Sequence, residues 1–506
     1  MIALKGQEVL VLGLGTSGLA MARWCARCGA RVTVADTRPS PPQLQALRLA
    51  VPQATFICSD FDSTLLVGKG FSSVFKSPGL SPVQVGALSE SAEKNAVKLK
   101  GELALFSQAL ADLKNLQAYS PAVLAVTGTN GKTTVTALTG HLVVRSNKSV
   151  AVAGNIGPSL LDTLSERLDA STLPEVWVIE LSSFQLEEIQ GFEPTAATVL
   201  NITQDHLDWH GSMTAYAAAK ARVFGTHTKM LLNRDDSLVM DMRRVVSSQG
   251  RVKNQQVREY QTFGSGVPQR HGDFGLEQVN GVRWLVRAME ADGARRKRTE
   301  AAEDLFIQRL IPADALRIRG QHNALNALAA VSLALSAGCS LAPILFGLRE
   351  YEGEPHRVER VVNVNNVVYF DDSKGTNVGA TVAALTGLGE DRLVVVILGG
   401  DGKGQDFSPL TVPVSRFARA VVLIGRDAPL IRAALALTNV PLFDADTMQS
   451  AVSVASAQAR AGDAVLMSPA CASFDMFDNY SHRAAVFREA VAAIANVAHF
   501  ETVESS

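Results

Sequence analysis

The chain has 506 residues, which at about 150 residues per domain predicts three domains, each large enough to bury its own core. Lysine and arginine number 48 against 49 aspartate and glutamate residues, so no overall charge exists that would attract nucleic acid or an anionic membrane. Any site that binds an anion must therefore be local.

The start of the chain shows none of the features of an export signal. Residues 1–13 lack the charged, apolar and small-residue sections of a signal peptide, and no apolar run approaches the roughly 20 residues that a membrane span needs. We therefore expect a cytoplasmic protein that does not insert into membranes.

The cysteines are too sparse for a disulfide framework, which a chain of this length does not need; they are Cys25, Cys28, Cys58, Cys339 and Cys471. Cys25 and Cys28 form a C-x-x-C pair, but a second pair is missing and the two lie one turn apart in a predicted helix. Buried or surface thiols are favoured over a redox or zinc site.

The first predicted element is a strand that leads into a glycine turn. An apolar run at residues 9–12 ends in GLGTSG at residues 13–18, and helix-forming sequence follows. A second strand at residues 31–35 leads to Asp36, which completes a βαβ-type unit. The turn matches G-x-G-x-x-G, and Asp36 stands where a ribose-binding carboxylate is expected. Alone the motif suggests NAD, but UDP presents the same diphosphate and ribose.

A second phosphate-binding loop follows the strand predicted at residues 122–126. The sequence GTNGKTT occupies residues 128–134 and leads into a helix with its apolar residues on one face. Backbone N–H groups in such a loop surround phosphate oxygens, Lys132 reaches the outer phosphates and Thr133 binds Mg²⁺. Val126 replaces the first glycine of the strict Walker pattern, so a structural turn is the alternative to a mononucleotide site. A dehydrogenase would leave this loop unexplained.

The rest of the chain alternates between strands and helices. The helix is predicted at residues 323–337, and the strands at residues 176–179, 196–200, 229–232, 367–370, 394–398, 421–424 and 464–467. The pattern weakens from about 243 to 317, where we expect a solvated loop or irregular strands, and the basic run at 295–298 is interpreted as solvated. We predict an α/β protein with domains at residues 1–100, 101–354 and 355–506.

Taken in order, the motifs of the chain resemble those of the Mur ligase family. Besides the two loops they are GNIG at 154–157, ELSSFQL at 180–186, NITQDHLD at 201–208, AAAK at 217–220, QHNALN at 321–326, HR at 356–357, DSKGTN at 372–377, GGDGKG at 399–404 and SPACASFD at 468–475. The strings at 180–186 and 468–475 resemble the family member that adds D-glutamate. The chain departs from the pattern at Gly375, where alanine is commoner, at Gln204, where glutamate is usual, and in a long segment before Arg317.

The resemblance implies a fold and a reaction. The implied domains are a Rossmann-like UDP-binding domain, a P-loop ATPase-like domain and a Rossmann-like C-terminal domain. The implied reaction uses ATP and Mg²⁺ to convert the L-alanyl carboxylate of UDP-N-acetylmuramoyl-L-alanine to an acyl phosphate, from which the amine of D-glutamate displaces phosphate. A monomer without a nucleic-acid partner is expected.

The resemblance also assigns roles to residues. The catalytic set is Lys132, Glu180, His206 and Lys220, and Mg²⁺ is held by Thr133, Glu180, His206 and Lys220, the last as a carbamate of its amine with CO₂. ATP contacts are implied for Gly128, Thr129, Asn130, Gly131, Lys132, Thr133, Thr134, Asn326, Arg357 and Asp372. The UDP substrate is assigned to Gly15, Thr16, Asp36, Thr37, Arg38, Ser77, Gly79, Asn155 and Gln185. D-Glutamate is assigned to Lys374, Thr376, Lys403, Ser473 and Phe474.

Ordinary explanations compete with several of these roles. Without the family pattern, His206 would be a structural histidine, and Lys220 and Lys403 would be solvated surface charges. Asn323 and Asn326 stand at the start of a predicted helix, where capping is the usual role of asparagine, and capping is compatible with contact to the ligand.

Two other functions remain as hypotheses. A nicotinamide-dependent oxidoreductase would use the first glycine loop. A non-catalytic regulator that binds a UDP-sugar would have no reason to carry the four catalytic candidates together. The sequence EGEP at residues 352–355 combines a permissive glycine with a stiff proline and predicts a hinge before the last domain.

Overall fold

The computed structural model describes residues 4–95, 97, 99–187, 189, 191–243, 258–290 and 305–504, with side chains described up to residue 496. Within these residues, three parallel or mostly parallel sheets follow one another along the chain, each flanked by helices. The predicted α/β class is confirmed.

The first sheet has five parallel strands in the order β3-β2-β1-β4-β5. Along β1, Val9 and Val11 belong to one apolar cluster and Leu10 and Leu12 to another, so the strand is buried on both faces, as a continuous apolar run predicts. The elements are β1 (Glu8–Leu12), α1 (Thr16–Arg27), β2 (Arg31–Asp36), α2 (Leu44–Ala50), β3 (Thr55–Cys58), β4 (Ser73–Lys76), α3 (Pro82–Lys94), β5 (Leu99–Lys100) and α4 (Glu102–Gln117).

The central sheet has six parallel strands in the order β11-β10-β9-β6-β8-β7. Strand β6 lies between β9 and β8, so the loops that follow these three strands are neighbours. The elements are β6 (Ala122–Thr127), α5 (Lys132–Arg145), β7 (Val150–Gly154), α6 (Leu160–Asp169), β8 (Val176–Glu180), α7 (Ser183–Leu186), β9 (Ala196–Val199), α8 (Leu207–His210), α9 (Met213–Ala221), β10 (Lys229–Asn233), α10 (Ser237–Asp241) and β11 (Tyr260–Phe263).

A three-stranded antiparallel sheet occupies part of the segment where the sequence pattern is weak. It consists of β12 (Phe274–Val279), β13 (Val282–Glu290) and β14 (Leu305–Pro312), and its apolar side chains pack on α11 (Gln321–Ser336). Of the two expectations for this segment, irregular strands are confirmed here and a solvated loop is wrong. The pairing of β13 with β14 shifts register between Leu285 and Val286, and such a bulge interrupts the alternation that marks a strand in a sequence. The basic run at 295–298 lies outside the described residues.

The last sheet has six strands in the order β15-β16-β20-β17-β18-β19, of which only β15 is antiparallel to its neighbour. The remaining elements are α12 (Leu341–Glu350), β15 (Glu359–Val364), β16 (Val367–Asp371), α13 (Val378–Gly389), β17 (Val394–Gly399), α14 (Thr411–Phe417), β18 (Ala418–Ile424), α15 (Ala428–Leu435), β19 (Leu442–Asp444), α16 (Met448–Gln458), β20 (Ala464–Met467) and α17 (Tyr480–Glu504). Every strand predicted above, from residues 9–12 to 464–467, and the helix at 323–337 are confirmed within a few residues.

All five cysteines are free, and four of them are buried while Cys58 is exposed. Burial raises the pKa of Cys25 and of Cys28, so neither member of the C-x-x-C pair is a reactive thiolate at neutral pH. Among the described residues, no helix combines the length and apolar character required to cross a membrane.

Candidate active site

The phosphate loop lies between β6 and α5, as predicted. Gly128 and Gly131 have positive φ angles of 150° and 83°, and a Cβ atom at Gly131 would come within 2.7 Å of Asn326 Oδ1. Both facts explain glycine at these positions. No side chain caps the start of α5, so its first backbone N–H groups remain available to an anion.

Two lysine amines converge on the same carbonyl group of this loop. Lys132 Nζ donates to Gly128 O at 3.0 Å and to Thr129 O at 2.8 Å. Lys220 Nζ donates to Gly128 O at 2.9 Å. Burial lowers the pKa of Lys132, and burial followed by repulsion from Lys132 lowers the pKa of Lys220 well below its ordinary value.

Glu180 ends β8, next to the strand that carries the phosphate loop. Its carboxylate is almost fully buried, and Oε1 accepts a hydrogen bond from Asn155 Nδ2 at 2.9 Å. Oε2 has no hydrogen-bond partner among the described residues. A buried anionic oxygen without a donor is costly unless a cation meets it. This residue therefore fits a Mg²⁺ ligand, and Thr133 offers a second hard oxygen.

His206 lies on the loop after β9, in a left-handed conformation with a φ of 52°. Its ring packs edge-on against Phe184 with centroids 4.8 Å apart, and its Nε2 lies 3.6 Å from Asp205 Oδ2. Burial lowers the pKa of His206, and the positive charges of Lys403 and Lys132 act in the same direction while Asp205 opposes them. The neutral ring that results can accept a metal.

A cavity of about 280 Å³ opens between the central and C-terminal sheets. It is lined by Asn130, Gly131 and Thr134 from the phosphate loop, by Asn326 from α11, and by Arg357 and Asp372 from the last part of the chain. Six of the residues predicted to contact ATP thus line one cavity between two sheets.

The predicted capping role of the two asparagines is wrong. Helix α11 begins at Gln321, and its N-cap is Gly320 with no side-chain hydrogen bond. Asn323 Nδ2 donates back to Arg319 O at 2.8 Å, and Asn326 Nδ2 donates to Asn323 Oδ1 at 3.1 Å. Asn326 lies more than one turn into the helix, so its side chain faces the cavity and Gly131 instead of the helix end.

Arg357 connects the last part of the chain to the phosphate loop. Its Nη2 donates to Thr133 Oγ1 at 2.7 Å. Asp372 is buried in the same cavity, where Ser468 Oγ donates to its Oδ2 at 2.6 Å. Burial raises the pKa of Asp372 to about 7, although Ser468 and Arg357 oppose the shift. A cation and a carboxylate thus line the same cavity.

The predicted UDP-substrate residues fall into two groups. In the first sheet, Asp36 ends β2, and its carboxylate accepts hydrogen bonds from Leu14 N at 2.7 Å and from Arg38 Nε and Nη2 at 2.8 Å. Burial alone would raise the pKa of Asp36, but these donors lower it to about 2. Ser77 Oγ donates to Gly13 O at 2.8 Å, Gly15 caps α1 and Thr16 begins it.

The other UDP-substrate residues are more dispersed. Thr37 follows β2 on the surface, and Gly79 lies in the exposed turn before α3. Asn155 and Gln185 lie on the central sheet, where Asn155 contacts Glu180 and Gln185 forms a capping box with Ser182. The first and central parts of the chain approach each other here, since Lys76 Nζ lies 6.0 Å from the ring centroid of Trp209.

The predicted D-glutamate residues lie on three loops at the carboxyl ends of neighbouring strands. Lys374 is partly buried with its Nζ 5.5 Å from the ring of Tyr480, and burial followed by repulsion from Arg357 lowers its pKa to about 8. Thr376 follows on the same loop. Lys403 is exposed but close enough to influence His206. Ser473 is buried, whereas 73% of Phe474 is exposed.

Sequence reasoning missed several residues at the site. Asn377 Nδ2 donates to Asn130 Oδ1 at 3.0 Å, and Tyr216 OH lies 3.2 Å from Thr129 Oγ1. The signal for Tyr216 was its position four residues before Lys220, which places both on one face of α9. Asn377 lies within the string DSKGTN without an assigned role.

The comparisons with known proteins agree with this architecture. Residues 7–98 match the MurD-like N-terminal domain of Mur ligases, residues 126–334 the Mur ligase middle domain and residues 356–471 the glutamate ligase domain of Mur ligases. The chain therefore belongs to the Mur ligase family.

Individual relatives resemble the chain over nearly its whole length. A protein of Albidiferax ferrireducens named UDP-N-acetylmuramoylalanine–D-glutamate ligase is 67% identical over 98% of both chains. A protein of Ralstonia nicotianae with the same name is 58% identical over 96% of this chain and 97% of its own. The crystal structure of UDP-N-acetylmuramate-alanine ligase from Thermotoga maritima has a TM-score of 0.55 at 20% identity, covers 96% of this chain and 99% of its own, and so shows the shared fold.

Proposed function

We propose that the chain joins D-glutamate to UDP-N-acetylmuramoyl-L-alanine at the expense of ATP, in the synthesis of peptidoglycan precursors. The observation that carries the proposal is the convergence of Lys132 and Lys220 on Gly128 O, beside the strand that ends in the unpartnered carboxylate oxygen of Glu180. The names of the relatives agree with this reaction. A regulator that only binds a UDP-sugar has no need for this arrangement.

The first step activates the carboxylate of the L-alanyl group. A carboxylate oxygen attacks the γ-phosphorus of ATP, the bond to the bridging oxygen breaks, and an acyl phosphate and ADP form. Lys132 and Arg357 contribute positive charge where the phosphoryl group passes, because catalysis of this transfer rests on positioning and electrostatic stabilisation. Thr133, Glu180 and His206 would hold Mg²⁺, which when bound neutralises charge on the phosphate oxygens.

The second step forms the amide bond. The amine of D-glutamate attacks the acyl carbon, inorganic phosphate leaves with the electron pair of the broken C–O bond, and the nitrogen loses a proton. Lys374, Thr376, Lys403 and Ser473 are proposed to bind the two carboxylates of D-glutamate through cationic and neutral donors, with Phe474 at the exposed rim.

Lys220 is proposed to act as a carbamate. The neutral amine attacks the carbon of CO₂, a C–N bond forms while one C–O π bond breaks and places its electron pair on oxygen, and the nitrogen releases one proton to solvent. The neutral amine thus becomes an anionic oxygen ligand. Burial supports this step because it favours the neutral amine, which is the nucleophile. A free ammonium would repel Mg²⁺, whereas a carbamate offers the hard oxygen that the ion prefers.

The direct test is release of inorganic phosphate by the purified protein with UDP-N-acetylmuramoyl-L-alanine, ATP and Mg²⁺ against a panel of amino acids. We expect release with D-glutamate and not with L-glutamate. The reverse preference would contradict the assignment. The oxidoreductase hypothesis predicts instead that NAD, and not the UDP substrate, raises the melting temperature, since a ligand that binds only the folded state stabilises it.

The proposal also covers the location of the protein in the cell and its oligomeric state. We propose a cytoplasmic enzyme that works as a monomer, because the resemblance to the family implies both. Sedimentation velocity at micromolar concentration should give a single species near 53.8 kDa. A stable dimer would contradict this part.

A further inference from the structure

Arg483 is a buried cation that the proposed reaction does not use. It lies near the start of α17, has 0% exposure and is among the largest fully buried side chains of the chain. Burial lowers its pKa to about 10, so the guanidinium remains charged at neutral pH. Among the described residues it takes part in no ion pair, although Asp475, Asp371 and Asp372 attract it over longer distances.

The guanidinium connects two loops through their backbone. Arg483 Nη2 donates to Ser373 O at 2.7 Å, and Nη1 donates to Cys471 O at 3.1 Å. Ser373 belongs to the loop after β16, and Cys471 to the loop after β20, and these two strands are parallel neighbours in which Asp371 pairs with Met467. One planar group with fixed donor directions therefore sets the spacing of two adjacent strand-end loops.

These are the loops that carry four of the five residues proposed for D-glutamate. Lys374 directly follows Ser373, and Thr376 lies on the same loop. Ser473 and Phe474 lie two and three residues after Cys471. If the carbonyl group of Ser373 or Cys471 moved, the displacement would pass along one to three peptide units to these residues.

Burial of the Arg483 charge costs free energy, so an apolar side chain at this position would stabilise the core more. A charged group without a close counter-ion carries a desolvation penalty, and its Nε has no hydrogen-bond partner among the described residues. The neighbouring core position of the same helix, Phe487, is equally buried and apolar. The buried charge of Arg483 therefore contributes through the two backbone hydrogen bonds that it forms and not through the stability of the core.

We propose that Arg483 is a positioning residue for the amino-acid substrate: it holds the Ser373 and Cys471 carbonyls so that the two loops form one pocket for a dicarboxylate amino acid. The inference rests on the proposed function. It concerns the amino-acid substrate first, because the phosphate loop and the UDP-binding residues lie on other sheets, and Asp372 is the one proposed ATP contact on the two loops.

The test compares Arg483→Met and Arg483→Lys with Phe487→Leu, which removes packing from the same helix and leaves both hydrogen bonds of Arg483 in place. For each variant the KM values for D-glutamate, ATP and UDP-N-acetylmuramoyl-L-alanine, kcat and the melting temperature are measured. We expect the KM for D-glutamate to rise about tenfold or more in Arg483→Met and less in Arg483→Lys. The KM for UDP-N-acetylmuramoyl-L-alanine should stay within about twofold, and the KM for ATP should rise less than that for D-glutamate because Asp372 adjoins Ser373. Phe487→Leu should lower the melting temperature with all three KM values unchanged.

Each possible result either supports or overturns the inference about Arg483. The inference is overturned if folded Arg483→Met or Arg483→Lys keeps the wild-type KM for D-glutamate, or if all three KM values rise together as in a general loss of structure. If Arg483→Met does not fold, Arg483→Lys alone decides by the same criterion. Wild-type protein that releases no phosphate with D-glutamate would instead refute the proposed function.

Discussion

Lys220 illustrates how the surroundings of one side chain change its chemistry. It stands on an alanine-rich helix, where a lysine is usually solvated, yet its amine is buried against Gly128 O and over the ring of Tyr216 at 4.6 Å. The environment disfavours the ammonium form, so the residue is better suited to react with CO₂ than to act as a cation.

We therefore predict that Lys220→Ala folds normally and loses activity on the order of 100-fold, because a charged ligand of the site is missing. Millimolar formate or acetate should restore part of the activity by occupying the vacated space. Phosphate release and circular dichroism measure the two effects, and Lys114→Ala, on the surface of α4, is the control. Full activity of Lys220→Ala would exclude the carbamate.

A second prediction at the scale of the residue concerns how the contribution of Asp372 to stability depends on pH. Its pKa is raised to about 7 in the folded state from roughly 4 in an unfolded chain, so the folded state binds this proton more tightly. The contribution of Asp372 to stability is thus most favourable at low pH and declines as the pH rises from about 4 to 7.

Asp372→Asn should consequently gain in melting temperature relative to the wild type between pH 5 and pH 8 in the absence of nucleotide. It should also bind ATP more weakly, since a carboxylate that faces the cavity is lost. Differential scanning fluorimetry at both pH values measures the first effect. The exposed control Asp391→Asn should behave alike at the two pH values, and the same behaviour in Asp372→Asn would contradict the prediction.

At the scale of elements, the unit of β6, phosphate loop and α5 depends on the close approach of α11. Gly131 has a positive φ, and a Cβ atom at this position would lie only 2.7 Å from Asn326 Oδ1. Any side chain would therefore both strain the loop and displace α11. The position of the phosphate loop therefore depends on the position of α11, the helix that lines the cavity.

Gly131→Ala is expected to cost about 1 kcal/mol or more of stability and to weaken ATP binding about tenfold or more. Chemical denaturation and isothermal titration with an ATP analogue measure these changes. The matched control is Gly86→Ala in the interior of α3, where the space is open and alanine should stabilise the helix by about 0.5–1 kcal/mol. Equal ATP affinity in Gly131→Ala and the wild type would refute the coupling.

At the scale of the whole molecule, the cavity proposed to bind ATP lies between the central and the C-terminal parts of the chain, and polar contacts join these two parts beside the phosphate loop. Arg357 donates to Thr133, and Asn377 donates to Asn130. The connection at 352–355 includes Gly353 with a φ of 101°, a conformation that favours glycine. These features suit a C-terminal domain that moves as a body.

Small-angle scattering should accordingly show a smaller radius of gyration when an ATP analogue and the UDP substrate are both saturating. The Lys132→Ala variant, which lacks the phosphate-binding amine, should not contract under the same conditions. An unchanged radius for the wild type with both ligands bound would contradict the hinge.

Much of the fold was predictable because its signals are local. The run at residues 122–126, the glycine loop and the apolar face of the following helix are neighbours in sequence, and parallel strands deliver Asp36 and Glu180 at their carboxyl ends wherever the strand is buried. The expectation that this loop binds phosphate comes from the same residues. The strands at 274–312 were not predicted individually because a bulge interrupts the alternation of apolar and polar residues.

The sequence by itself determined the order of the elements, the two glycine loops and the family resemblance, since each depends on residues that are close along the chain. Only the tertiary structure decided that Asn326 faces Gly131, that Lys220 is buried and that Arg483 joins two loops. The physical reason is that burial and hydrogen bonding depend on what a residue meets in space. Ser373 and Arg483 are 110 positions apart, and no periodicity of helix or strand extends so far.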